Sequence, residues 1–257
     1  MSRIFFITGS STGLGLLAGK LLVTQGHHVT LHARNNGRAS DARRELPEVE
    51  DIVVGDLSTI VGVRAVAAQA NASGRFDSII HNAAIGHQDT RVLTADGLPE
   101  IFAINTLAPY MLTALIEKPR RQVYLSSNMH RQANFNSDDI MWKSRPWDGW
   151  AAYSESKLHD VLLAFAFARM WPDVLSNTLS PGWVPTRMGG AAATDDLQEG
   201  CETQAWLATS ADTKALTTAR YFFHLKETEP HEQTLDTSIQ DKLLGFCAEV
   251  SGVPITN

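Results

Sequence analysis

Short apolar runs recur along the first two thirds of the chain. Each ends in a small or polar turn and leads into a stretch with helical spacing. Ile4–Ile7 ends in Thr8-Gly9, and a helix is predicted from Leu14 to Gln25, with Gly26 as its stop. His28–Ala33 reads as a second strand. Ile52–Val54 reads as a third, closed by Gly55-Asp56 and followed by helical spacing over residues 57–72. Ile79-Ile80 lies in a fourth strand that runs into His81-Asn82. Asn105–Glu117 predicts a helix, Val123–Ser126 a fifth strand, Tyr153–Met170 a long helix and Leu175–Leu179 a sixth strand. Tyr221–Phe223 reads as a final strand, and Leu235–Val250 as a C-terminal helix.

Strands alternating with helices imply βαβ units and a parallel sheet with both faces covered. Right-handed crossovers then make an α/β, doubly wound sheet. Two regions break the rhythm. Residues 128–150 are rich in Trp, Arg, Asp and Asn, and residues 187–205 in Gly, Ala and Asp. Both would leave strand carboxyl ends, where ligands bind in such sheets.

Composition narrows the function classes. The net charge of −6 gives no electrostatic reason to bind nucleic acid or an anionic membrane. Cys201 and Cys247 form no CxxC pair and have no His at ligand spacing, so two reduced thiols are expected, with no metal site. No apolar stretch reaches the ~20 residues of a membrane helix, and Ile4–Ile7 is too short for a signal-peptide core. A cytoplasmic protein acting on a small molecule is the expectation.

The turn after the first strand reads Thr8-Gly9-Ser10-Ser11-Thr12-Gly13-Leu14-Gly15. Its glycines permit a tight turn, and they let helix N-terminal amides point at a pyrophosphate. The second strand ends Leu31-His32-Ala33-Arg34-Asn35-Asn36-Gly37-Arg38, with no acid and two Arg. An acid there would accept bonds from a free ribose 2′-hydroxyl, whereas an Arg favours a 2′-phosphate, so NADP(H) is expected over NAD. Asp56 could cap a helix. Tyr153 and Lys157, at i and i+4, share one helical face, where an ammonium favours the phenolate.

These segments together resemble the short-chain dehydrogenase/reductase family, whose shorter members carry the Thr-Gly-x-x-x-Gly-x-Gly form. The resemblance spans residues 4 to 188 and implies one Rossmann-type domain over 1–257. By that likeness Gly9, Ser11, Thr12, Gly13, Leu14 and Gly15 cradle the pyrophosphate, and Arg34 with Asn35 meets the adenosine ribose. Asp56 bonds the adenine and Leu57 flanks it. His81-Asn82-Ala83-Ala84 is similar to the family's Asn-Asn-Ala-Gly, with Asn82, Ala83 and Ala84 beside the cofactor ribose. Pro181-Gly182-Trp183-Val184-Pro185-Thr186 is similar to its Pro-Gly-x-Val-x-Thr, in which Pro181, Gly182, Val184 and Thr186 adjoin the nicotinamide. Ser127, with Ser126 as its rival, becomes the substrate-binding serine, and strand alternation lets only one face the site. Tyr153 becomes the proton donor, and Lys157 the partner of both Tyr153 and the nicotinamide ribose. Asn105 supplies a backbone carbonyl for a relay water. The implied reaction is NADPH-dependent reduction of a ketone or aldehyde.

The long Ser-to-Tyr separation and Tyr153-Ser154-Glu155-Ser156-Lys157-Leu158-His159 resemble the retinol-dehydrogenase-like branch and bacterial polyketide ketoreductases. Met129, Phe135, Met141, Trp142, Trp147 and Trp150 either wall a pocket for a bulky, apolar or aromatic carbonyl compound or pin the insertion to the body. Residues 187–205 are expected to form a mobile lid, with Trp206 reaching the pocket. The family often forms homo-oligomers through the helices at 105–117 and 153–170, a surface the 128–150 insertion stands to block. Two rivals carry other chemistry. Epimerases of this kind need a longer C-terminal domain, and enoyl reductases space Tyr and Lys further apart. A third, an NADP-binding redox sensor or scaffold, would typically lack the Tyr or Lys present here.

Overall fold

The computed structural model describes residues 4–255. One eight-stranded sheet runs β3-β2-β1-β4-β5-β6-β7-β8. Its strands are β1 (Ile4–Ile7), β2 (His28–Ala33), β3 (Asp51–Val54), β4 (Ser78–His81), β5 (Arg121–Leu125), β6 (Leu175–Ser180), β7 (Tyr221–Phe223) and β8 (Lys226–Thr228). The first seven are parallel, and β8 pairs antiparallel to β7. The α/β Rossmann reading therefore holds. Strand order reverses between β1 and β4, so their carboxyl ends open the crevice where ligands bind in this architecture.

One face of the sheet packs on α3 (Ile60–Ala72), α5 (Ala108–Leu115), α6 (Gly149–Met170) and α8 (Thr237–Ser251), through a core that includes Phe6, Phe76, Tyr110, Leu162 and Leu243. The other packs on α1 (Gly13–Thr24), α2 (Asn36–Glu45) and α7 (Leu197–Thr209), around Phe5, Leu22, Val29, Leu31 and Leu207. Of the central strands, β1 and the middle of β4 are apolar runs, as parallel sheets favour, whereas β5 and β6 also bury Gln122, Ser176, Asn177 and Thr178.

Several predicted elements differ from the fold. The helix expected from Asn105 begins earlier: α4 (Glu100–Phe102), a π turn (Ala103–Leu107) and α5 follow without a break. The polar α2 and the short β8 carry little hydrophobic periodicity and were not predicted. The lid expected over 187–205 is irregular only to Asp196. Asp196 then caps α7 by accepting from the Gln198 and Glu199 amides, and α7 packs on α1. Trp206 lies edge-on to Phe222, 5.6 Å between ring centres, within the packing of that face instead of the pocket.

Helix α6 is buried along most of its length because the sheet covers one side, while α8 and the turn at Asn128–Gln132 cover others. Arg169 donates to Gln240 and pairs with Asp241, while Phe102 meets Phe246 edge-on. The Tyr110 hydroxyl donates to the Val253 carbonyl at 2.7 Å.

Candidate active site

The turn between β1 and α1 is built for close backbone approach. Gly9 has φ of +60°, and a Cβ there would stand 2.6 Å from Ala83 Cα. A Cβ on Gly15 would stand 2.5 Å from Asn82 Nδ2 and 2.9 Å from the Gly9 carbonyl. Asn82 is a brace. Its Nδ2 donates to the carbonyls of Thr8 and Gly9, both at 3.0 Å, and its amide donates to Thr8 Oγ1. Gly13 also has a positive φ, +61°, but its face is open, with only Thr186 Cγ2 at 4.0 Å.

The first turn of α1 fits an anion. Thr12 occupies its N-cap position without a side-chain cap bond, whereas Asn35, Thr59, Asp148, Asp196 and Asp236 cap α2, α3, α6, α7 and α8. Uncapped amides at a helix N-terminus, with Thr12 and Gly13 exposed beside them, form a cradle for phosphate.

At the adenosine end Arg34 is exposed and, among the described residues, its side chain has no hydrogen bond or ion pair. The Asn35 side chain accepts from the Arg38 amide as the cap of α2, so that oxygen is already engaged. Thr59, not Asp56, caps α3. Asp56 is exposed and takes the Ser58 amide. Leu57 is 5% exposed and packs in the core, so its side chain does not flank an open ring site.

The catalytic candidates sit at the end of β5 and the start of α6. Ser126 is buried and its Oγ donates to the Lys157 carbonyl at 2.7 Å. Ser127, half-buried, points the other way. Its Oγ accepts from the Met129 amide at 3.3 Å, leaving its own hydrogen for a ligand oxygen. With the Ser126 hydroxyl committed, Ser127 remains the candidate of the two. His130, fully buried, fixes the same residue: one ring nitrogen meets the Ser127 carbonyl at 2.7 Å and the other accepts from the His231 amide. Burial holds its ring down at about 4, so it stays neutral.

Asp148 caps α6 through the Trp150 and Ala151 amides, which sets Tyr153 one turn in. Tyr153 is half-buried, and its hydroxyl makes no hydrogen bond among the described residues. Lys157 Nζ lies 5.9 Å from the centre of its ring. The amine is turned inward. It donates to the Leu125 carbonyl at 2.8 Å and to Asp160 Oδ2 at 2.8 Å, which leaves one of its three hydrogens uncommitted. Burial alone would lower the ammonium, but the Asp160 charge, Tyr153 and the Asp160 hydrogen bond outweigh it and hold Lys157 above the usual lysine range. Burial pushes the Asp160 carboxyl up, and Lys157 offsets only part of that rise. The sequence reading missed Asp160, although its i+3 spacing from a candidate lysine was a signal.

Asn105 lies in the π turn, which leaves local carbonyls outside the regular ladder. Its side chain accepts from the Ile85 amide and donates to the Ile85 carbonyl and Ser156 Oγ. It thereby ties the segment after β4 to α6.

The sequence pattern of the short chain dehydrogenase family matches residues 3–197. The chain belongs to the short-chain dehydrogenase/reductase family. An uncharacterized oxidoreductase of Emericella nidulans is 41% identical over 99% of both chains. Retinol dehydrogenase 14 of Mus musculus is 29% identical, over 98% of this chain and 86% of its own. Among solved structures, a blue fluorescent protein from a metagenomic library, in complex with NADPH, shares the fold with a TM-score of 0.70. It is 18% identical, over 86% of this chain and 95% of its own.

The family's Pro-Gly segment is anchored from below. Gly182 has φ of +85°, and a Cβ there would meet Asp195 Oδ2 at 2.4 Å. The same carboxylate accepts the Trp183 amide at 2.7 Å. Val184 is buried against Gly200 of α7, with the half-buried Leu14 close by, while Thr186 Oγ1 accepts the Gly189 amide. Pro181 and Ala84 are half-buried on the same rim.

Of the insertion's apolar side chains, some pin it to the body and others border a cavity apart from the catalytic candidates. Trp142 has a positive φ of 52° and is held in place, its Nε1 donating to Glu155 and its ring under the Arg145 guanidinium at 3.5 Å. Trp147 donates to the Gln88 carbonyl, and Met141 joins the core. These three pin the insertion. Met129, Phe135 and Trp150 instead border an open cavity of about 690 Å³ whose wall is mostly polar, with Asn134, Asp138 and Arg145, and which includes neither Ser127 nor Tyr153. Trp150 stacks on His87 at 3.7 Å, and the next residue back, Gly86, faces Met188. Trp150, Trp183 and Met188 remain 50–55% exposed, unusual for residues so apolar. Among the described residues no helix is long and apolar enough to cross a membrane, and no three or more His, Cys, Asp or Glu side chains gather as a metal ion would need.

Proposed function

We propose that this chain is an NADP(H)-dependent reductase of ketones or aldehydes, acting on bulky, apolar or aromatic substrates. The observation that carries the reading is a set of groups at the end of β5 and the start of α6: a Tyr153 phenol with no hydrogen bond among the described residues, a buried Lys157 ammonium 5.9 Å from its ring, and a Ser127 hydroxyl that accepts an amide and keeps its own hydrogen. The uncapped α1 amides hold the pyrophosphate, and Arg34 takes the 2′-phosphate. NADPH, when bound, supplies the hydride. The Ser127 hydroxyl holds the carbonyl oxygen, and Tyr153 delivers a proton to it as charge develops there. Lys157 keeps positive charge behind the phenol, and its remaining hydrogen is available to a ribose hydroxyl. The Asn105 carbonyl anchors a water that returns the proton.

The substrate class is supported by the exposed rim of Trp150, Trp183, Met188 and His87, and by the likeness to a retinol dehydrogenase. Reduction is favoured because cellular NADP pools are commonly kept reduced. The test is NADPH oxidation by the purified protein with aliphatic, aryl and polycyclic ketones and aldehydes. NADH, Tyr153→Phe and Arg34→Ala run alongside. The expected result is turnover of the larger aryl substrates that is lost in Tyr153→Phe, with Arg34→Ala weakening NADPH but not NADH about tenfold or more. NADPH binding without turnover across the whole panel would favour a redox sensor. Better turnover with NADH would overturn the role given to Arg34.

A further inference from the structure

His32 is the next-to-last residue of β2 and is 4% exposed. Its ring spans two backbone groups that belong to different parts of the cofactor crevice. Nδ1 accepts the Gly9 amide at 3.0 Å, so that nitrogen carries no proton. Nε2 lies 2.9 Å from the Gly55 carbonyl and therefore carries one. The main chain of the same residue doubles the link: the His32 amide donates to Ser10 Oγ at 2.8 Å and its carbonyl accepts the Ser10 amide at 3.1 Å. One residue thus holds the phosphate turn to the end of β2, and the end of β2 to the end of β3. Burial keeps the ring below the ordinary histidine range, and the Gly55 bond and the Asp56 charge offset only part of that. A protonated ring could not accept from Gly9.

We propose that His32 is a positioning residue for the dinucleotide, joining the loop that holds the pyrophosphate to the Gly55-Asp56 edge that faces the adenosine. This rests on the NADP(H) reading above. The physical argument is preorganisation. With the ring in place, Gly9 stays in its left-handed conformation and the free amides of α1 keep a fixed distance from Arg34 and Asp56. Without it, the Gly9 amide and the Gly55 carbonyl lose their partner, and binding must order both segments. The Gly9 amide is also engaged before any ligand arrives, so the phosphate falls to the later amides of the turn.

The test measures dissociation constants for NADPH and for 2′,5′-ADP, by fluorescence and calorimetry, on wild type, His32→Ala and His32→Asn. Melting temperatures are recorded for each. Asparagine can restore the acceptor for Gly9 but cannot reach Gly55. The expected result is graded: about tenfold to a hundredfold weaker binding of both ligands in His32→Ala, and an intermediate loss in His32→Asn. The loss is expected to persist in a variant whose melting temperature stays close to wild type. Equal affinities in wild type and in folded His32→Asn would overturn the positioning role and leave the cofactor reading standing. A wild-type protein that binds neither NADPH nor NADH would remove the cofactor reading and this inference with it.

Discussion

Replacing Lys157 by Met is expected to cost stability as well as catalysis, because the lysine's partner stays behind. Both members of the Lys157–Asp160 pair are about 5% exposed or less. Removing one side of a buried pair typically costs about 3–5 kcal/mol. A second route gives a similar ceiling. If Asp160 protonates instead of remaining a buried anion, holding it neutral at pH 7 against an ordinary carboxylate value near ~3.9 costs about 4 kcal/mol, and at pH 5 only about 1.5. The sign follows from the direction of the Asp160 shift. Burial already raises that carboxyl, and losing Lys157 raises it further. Its contribution is therefore favourable at low pH and is lost as pH rises toward neutrality. Urea unfolding of wild type, Lys157→Met and Lys157→Met/Asp160→Asn at pH 7 and pH 5 reads this directly. The single variant should lose most at pH 7, less at pH 5, and regain most of the loss in the double variant. A double variant no more stable than the single one, or a cost equal at both pH values, would refute the reasoning.

Other expectations follow from the same geometry. Gly15→Ala should abolish NADPH binding, since its Cβ would overlap Asn82 Nδ2 and the Gly9 carbonyl, whereas Gly13→Ala meets open space and should lose only about tenfold from its strained φ. Titration calorimetry separates the two. Because α8 covers the α6 face, the protein should run as a 28.1 kDa monomer in light scattering at micromolar concentration, and a stable dimer would show that another surface pairs. Burial lowers His81 to about 3, His130 to about 4 and His159 to about 3. Each must take up a proton on unfolding below the ordinary value near ~6.5, so stability present above that pH is lost as pH falls toward the folded values. Three such groups give a slope of about 4 kcal/mol per pH unit near pH 5. Unfolding free energies that stay flat between pH 6.5 and 5 would show that these rings are charged in the folded protein.

The frame was legible because β1 is an unbroken apolar run and because small or polar turns such as Thr8-Gly9 and Pro181-Gly182 close the strands. Ile4–Ile7, His28–Ala33 and Leu175–Ser180 were read nearly to the residue. Turn chemistry exposed the phosphate loop, since Gly9, Gly13 and Gly15 stand where a side chain would clash or strain. The i, i+4 spacing exposed Tyr153 and Lys157. Other features leave no periodic trace. The polar α2 is held by its Asn35 cap and its seat on the sheet, with little apolar stripe of its own. The α7 start was hidden in a Gly- and Ala-rich stretch, where Asp196 alone signals the cap. Leu57 and Trp206 were misplaced for one reason: an apolar side chain near a ligand site can face either the ligand or the core, and spacing does not tell which.

The residues proposed to meet ligands and the residues that hold them follow different chemical rules here. Ser127, Tyr153 and Arg34 are half-buried or exposed, and each keeps bonding capacity in reserve. The groups behind them are more buried, and most of their bonding capacity is committed within the protein. Lys157 is tied to Leu125 and Asp160, Asn82 to Thr8 and Gly9, and Asn105 to Ile85 and Ser156. His32 and His130 serve as two-ended connectors, each accepting an amide on one nitrogen and facing a carbonyl with the other. A neutral imidazole suits that task because it offers one donor and one acceptor on a rigid ring. The same rigidity makes burial tolerable, since both polar atoms are satisfied and no charge is desolvated. Protonating either ring would break one end of the link, so the burial that holds these histidines neutral is also what keeps the crevice in shape.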